Sequence, residues 1–213
     1  MANGTGGSIT SFFTIWTEPR ATIRRIVDTE PTRHVIALAA IGPAIGALAR
    51  QWSKALDSNA HLSVLWPIEV ALTVVFAAAL GVISLYISGV ILRWSGGLLG
   101  GVASRVEVRA AIAWSQVPAI AGEIVLLIAV LSGIPIPHAT PGSILEIDPA
   151  FYKVAVVEGV LSLWGGIVAL YCLAEVHRFS AWRALCTTLI PALIAMIVLG
   201  FGVFVVYSLI GHH

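Results

Sequence analysis

Residues 64–94 read VLWPIEVALTVVFAAALGVISLYISGVILRW, an apolar run with one acid, Glu69, near its start and one base, Arg93, near its end. A helix rising ~1.5 Å per residue crosses a ~30 Å hydrocarbon layer in about twenty residues, so this run is long enough to tilt or to project past the headgroups. Trp66 and Trp94 stand where interfacial anchors are expected. Working outward, similar blocks lie at about His34–Ala49, Ala110–Leu131, Val154–Ala174 and Ala184–Ile210. The first of these is short for a span, although Pro43 between Gly42 and Gly46 suits close packing against another helix or a re-entrant segment. The pattern predicts an all-α fold, a polytopic membrane helix bundle of five transmembrane helices.

Composition agrees. Hydrophobic residues make up 58% of the 213 positions and charged residues 11%, with a mean hydropathy of +0.95. Soluble domains carry roughly 25% charge, so this chain cannot coat a water-facing globule. The net charge is +1 and the bases are scattered singly, which excludes nucleic acid as an expected partner. Cys172 and Cys186 lie in or beside apolar blocks and read as small hydrophobes. The first ten residues have no basic or apolar region of the kind a cleaved signal needs, so the first span is expected to target the chain. His212 and His213 are given no function.

Ahead of the spans, residues 8–28 mix Phe12, Phe13, Ile15, Trp16, Ile23, Ile26 and Val27 with Arg20, Arg24 and Arg25. That combination predicts an N-terminal interfacial amphipathic helix in the headgroup layer, with Trp16, Arg20, Arg24 and Arg25 as lipid-surface contacts. Pro19 after Thr17 and Glu18 marks the start of a second short helix. The chain thus divides into a leader at 1–30 and a membrane domain at 31–213. Pro135, Pro137, Pro141, Gly142 and Pro149 predict a solvent-side loop between the third and fourth spans. No fixed-period repeat is evident. With the N-terminus inside, nine of the twelve Lys and Arg residues fall on the cytoplasmic side, as the positive-inside bias requires of an inner-membrane protein.

Three short stretches add a resemblance. They are Trp16-Thr17-Glu18-Pro19-Arg20-Ala21-Thr22-Ile23-Arg24; the run Gly96 to Ser104 followed by Ser115-Gln116-Val117-Pro118; and Trp164-Gly165-Gly166-Ile167 followed by the turn Ser180 to Ala184. In this order the chain resembles the Yip family of Ypt-interacting five-span membrane proteins, and more narrowly its bacterial members. The resemblance implies a membrane domain without established enzymatic chemistry. Eukaryotic relatives bind small GTPases, but their long acidic N-terminal region and D-L-Y-G-P-type motif are absent here, so that partnership is not expected.

No H-E-x-x-H, C-x-x-C, G-x-S-x-G or Walker-type pattern occurs, so neither a catalytic site nor a metal or other cofactor is expected. The run Gly96 to Gly101 lacks the lysine of a phosphate loop and reads as a tight turn. His34 and His177 are expected near the cytoplasmic interface, solvated or capping. The informative residues are Glu69, Glu123 and Glu158, acids inside apolar blocks where ionised carboxylates are expensive. On the five-span topology all three fall in the outer half, and Gln116, seven residues before Glu123, shares its face, with Pro118 weakening the turn between them. Two readings stay open: a polar site for a proton, a cation or a basic group, or a structural role, either pairing with Arg50, Lys54 or Lys153 near the same surface or staying protonated as interhelical hydrogen-bond donors. As functions, these correspond to a small carrier or channel, and to a non-enzymatic membrane organiser. The organiser's partners would be the lipid bilayer and, through small-residue faces at Gly42/Gly46 and Gly96/Gly100, itself or other membrane proteins.

Overall fold

A computed structural model describes residues 6–58, 64–134, 136–137 and 149–210. Helices α1 (Gly6–Thr17) and α2 (Pro19–Thr29) form the leader, and α3 (Val35–Ser58), α4 (Trp66–Leu98), α5 (Arg105–Ser115), α6 (Val117–Leu131), α7 (Pro149–His177) and α8 (Ala181–Ile210) form the bundle. Five helical stretches are long and apolar enough to cross a membrane, with α5 and α6 together making the third. Among the described residues there is no strand.

Two boundaries differ from expectation. The first span is not short: α3 continues through Arg50 and Lys54 to Ser58, because single charges on one side do not interrupt a backbone ladder. The fourth begins at Pro149, where proline's missing N–H is harmless on the first turn. The remainder of the expected loop, at 135 and 138–148, lies outside the described residues, as do His212 and His213. Ile136, one of the described residues ahead of 138–148, is tied back to α3 by donating its N–H to Ser53 Oγ at 2.7 Å.

The third span breaks at Gln116. Pro118 cannot donate to the carbonyl one turn back, so the Gln116 N–H tightens onto Ala113 O at 3.2 Å and α6 restarts with Ile120 N–H on Gln116 O at 2.8 Å. The glycine run is the tight turn expected of it. Gly101 donates to Gly96 O at 2.9 Å and Gly100 takes φ +82°, a left-handed conformation that only glycine adopts freely. Ser104 and Glu107 then start α5 with reciprocal caps, Ser104 N–H to Glu107 Oε2 at 2.6 Å and Glu107 N–H to Ser104 Oγ at 3.3 Å.

Close helix approach relies on small residues, as lipid-solvated bundles require. Gly81 of α4 lies against the Ala39 carbonyl and the Pro43 ring of α3, and a Cβ there would overlap both. Gly42 faces Ile120 of α6, and Gly165 of α7 packs on Ser115 O and Ala119. Helix α3 packs on α4 and α6, α6 on α7, α5 on α4 and α7, and α8 on α4 and α7.

The leader does not simply rest in a headgroup layer. It forms two helices, and their inner faces are part of the main core: Ile15 and Ile23 are fully buried and Ile26 nearly so, among Val108, Ala111 and Trp114 of α5 and Cys172, Leu173 and Val176 of α7. Full burial of such a side chain is worth about 1.5–3 kcal/mol where the alternative is water. Glu18 occupies the N-cap position of α2 but makes no side-chain cap; Thr22 Oγ1 instead bonds Thr14 Oγ1 at 2.8 Å across the bend.

Candidate intramembrane polar site

Glu123, on α6, directs its carboxylate at Gly46 of α3. A side chain at position 46 would lie 2.5 Å from Glu123 Oε2 and 2.7 Å from Arg50 Nη2. The absence of a Cβ thus opens the volume in which carboxylate and guanidinium face each other. Arg50 reaches it because helical side chains lean toward the N-terminus, so a residue four positions later folds back over Gly46. Glu123 Oε2 is buried yet accepts no hydrogen bond among the described residues.

Glu158 closes the cluster from α7. Its Cγ packs 3.4 Å from where a Cβ on Gly122 would stand, one residue from Glu123. A carboxylate and a guanidinium from two spans therefore border the gap left by Gly46, and a second acid, Glu158, lies beside Gly122 from a third span. Such a cluster can exchange a proton between acids, or hold a small cation against the residual negative charge.

Gln116 is set apart from the two acids. It lines a groove of ≈ 360 Å³ between α3, α4 and α5 that also exposes Arg50, Ser84 and Ser88. Arg50 lines the groove and also borders the gap at Gly46 that faces Glu123, and so lies between the two. Glu69 does not take part: it is exposed on the first turn of α4, where a negative charge complements the helix dipole. Its carbonyl accepts Thr73 Oγ1 at 2.8 Å, and Gln51 Nε2 bonds the same hydroxyl at 2.8 Å, tying α3 to α4.

The leader's candidate contacts separate in the same way. Arg24 points inward, bonding Glu175 Oε1 at 3.2 Å and the Glu175 carbonyl at 2.9 Å. Arg20 is exposed with its guanidinium 5.4 Å from the Tyr171 ring centre, and Arg25 is exposed outright; Trp16 is half-buried. Arg20 and Arg25 are thus left at the surface, and Arg24 holds the leader to α7.

His177 departs from expectation. It is 1% exposed rather than solvated, stacked on Phe179 at 5.0 Å and enclosed by Gly96 and Gly101, and neither ring nitrogen has a hydrogen-bond partner among the described residues. Hydropathy could not reveal this, because the enclosure is made by glycine backbone of α4 and of the turn that follows it. His34 is exposed as expected, at φ 57° before α3, and accepts Arg33 Nε at 3.2 Å. Arg50 was legible as a site member: it stands at i+4 from Gly46, which puts both on one face of α3. No group of three or more metal-binding side chains occurs among the described residues.

Comparison with protein families matches the Yip1 domain over residues 13–202. The curated proteins and the solved structures give no match.

Proposed function

The chain belongs to the Yip1 domain family, and from that premise we propose that this multi-pass membrane protein is a non-enzymatic membrane organiser that broadens one leaflet. The observation that carries the proposal is the uneven cross-section: α1 and α2 add their bulk at one end of the bundle only, packed on α5, α6 and α7. Phe13 there is 73% exposed, and Arg20 and Arg25 are exposed beside it in sequence, the combination that inserts into an anionic interface. Each such arginine contributes about 1 kcal/mol near an anionic surface. With the leader cytoplasmic, as the arginine bias favours, the expanded leaflet is the inner one of the cell membrane. Other membrane proteins, or further copies of the chain, are its expected partners.

The test is reconstitution of the full chain into anionic phospholipid vesicles. Vesicle diameter should fall as protein density rises, and Phe13→Glu with Arg25→Glu should remove the effect. Vesicles whose size and shape ignore protein density would overturn the proposal.

One observation favours a second reading, a small carrier: Glu123 Oε2 is buried without a hydrogen bond beside Arg50 and Glu158. On that reading, proteoliposomes show a proton- or cation-dependent flux that Glu123→Gln abolishes at unchanged folded yield. Wild-type vesicles tight to a broad ion panel would retire it.

A further inference from the structure

An apolar cleft of ≈ 500 Å³ separates the leader from the third span, and we propose that it is the seat of one phospholipid acyl chain. Phe12, Phe13 and Trp16 of α1 form one wall, and Leu38 of α3 with Ile120 and Ile124 of α6 form the other. The second wall belongs to two membrane spans, so the medium at the cleft mouth is hydrocarbon. Water would be held there by nothing, since a buried water needs two to four polar partners and these six side chains offer only the indole N–H. A void would forfeit the dispersion contacts of every lining group. An acyl chain supplies those contacts without desolvating anything.

The polar end of such a lipid is also provided for. Trp16, an amphipathic ring suited to the headgroup boundary, stands in the leader wall of the cleft. The cleft is walled on two sides, by the leader and by α3 with α6, which distinguishes this place from the single exposed faces of α4 and α8. This seat needs only the membrane setting, and stands whether or not the leader alters vesicle shape.

Phospholipid retained per chain, measured by native mass spectrometry on full-length protein washed in mild detergent, tests the idea. Wild type should keep about one lipid, and Ala121→Trp, which fills the cleft floor from α6, should lower retention about tenfold. Leu193→Trp, on the exposed face of α8, should leave it unchanged. Lipid-free wild type, or equal retention in a folded Ala121→Trp protein, overturns the seat. A lipid-free dimer closed through Phe13 overturns it too, in favour of a second copy. Should Ala121→Trp not fold, quenching by phosphatidylglycerol with brominated chains decides. The difference between wild type and Trp16→Phe should saturate near one lipid per chain, and quenching that merely tracks the bulk brominated fraction overturns the proposal.

Discussion

At the leader end of the bundle the helices pack as a soluble core does, whereas at the opposite end the same helices are mostly bare. Ile15, Ile23, Val108, Trp114, Leu173 and His177 are buried together at the first end, with Ser95 Oγ bonding Thr187 O at 2.8 Å to fasten α8 to α4. The other end has a small cluster of Ala49, Leu126 and Val130, and long exposed rows such as Leu193, Met196, Ile197, Leu199 and Phe201 on α8. The contrast teaches that apolar character and protein contact are different quantities in a membrane. Lipid tails are as apolar as leucine, so burial against protein is chosen by shape and polar satisfaction rather than by hydrophobicity.

The sharpest way to break this comparison is at two tryptophans. Trp114, 2% exposed and 4.8 Å from the Phe12 ring, joins leader to bundle. Trp114→Ala should destabilise the protein by about 3–5 kcal/mol. Trp66, which meets Trp52 edge-on at 5.3 Å at the far end, should lose only about 0.5–1.5 kcal/mol as Trp66→Ala. Unfolding in mixed detergent micelles compares the two, and equal losses would mean that the far end is packed as firmly as the leader end.

Glycines sharpen the same contrast. A Cβ at Gly101 would overlap the buried His177 ring and the Gly96 carbonyl, neither free to move, so Gly101→Ala should cost about 1–3 kcal/mol in the same titration. Gly46→Ala meets only the tips of Glu123 and Arg50, which can swing aside, and its expected loss is below about 1 kcal/mol. Because that substitution fills the gap between Arg50 and Glu123 while sparing the fold, it also separates the carrier reading from a structural one. Flux that survives Gly46→Ala unchanged would detach transport from the cluster.

The smallest expected difference lies within the leader. Arg24→Ala leaves Glu175, about a quarter exposed, without its partner and should cost on the order of 1–2 kcal/mol. Arg25→Ala should stay within about 0.5 kcal/mol while weakening binding to anionic vesicles. Limited proteolysis after Arg24→Ala should release the leader first. A leader as resistant as wild type would show that Ile15 and Ile23 hold it without the ion pair.

Much of this architecture was legible before any coordinates, because span existence depends on local composition and length. The apolar runs placed five spans, Pro118 weakened the third where it breaks, and the run from Gly96 to Gly101 marked the turn that forms there. Glu123, Glu158 and Gln116 were legible as polar residues in apolar blocks; Glu158 lies beside Gly122, next to Glu123, whereas Gln116 lines a groove that contains neither acid.

What the sequence alone could not determine was how each helix is rotated and what meets across helices. Only tertiary packing left Glu69 exposed on α4, brought Arg50 and Glu123 to the gap at Gly46, turned Arg24 inward and sealed His177 between glycines. The physical reason is that oil–water partition is summed along a single segment, whereas rotation is fixed by the fit of small residues on one helix to large ones on another. That fit exists only once the helices are side by side.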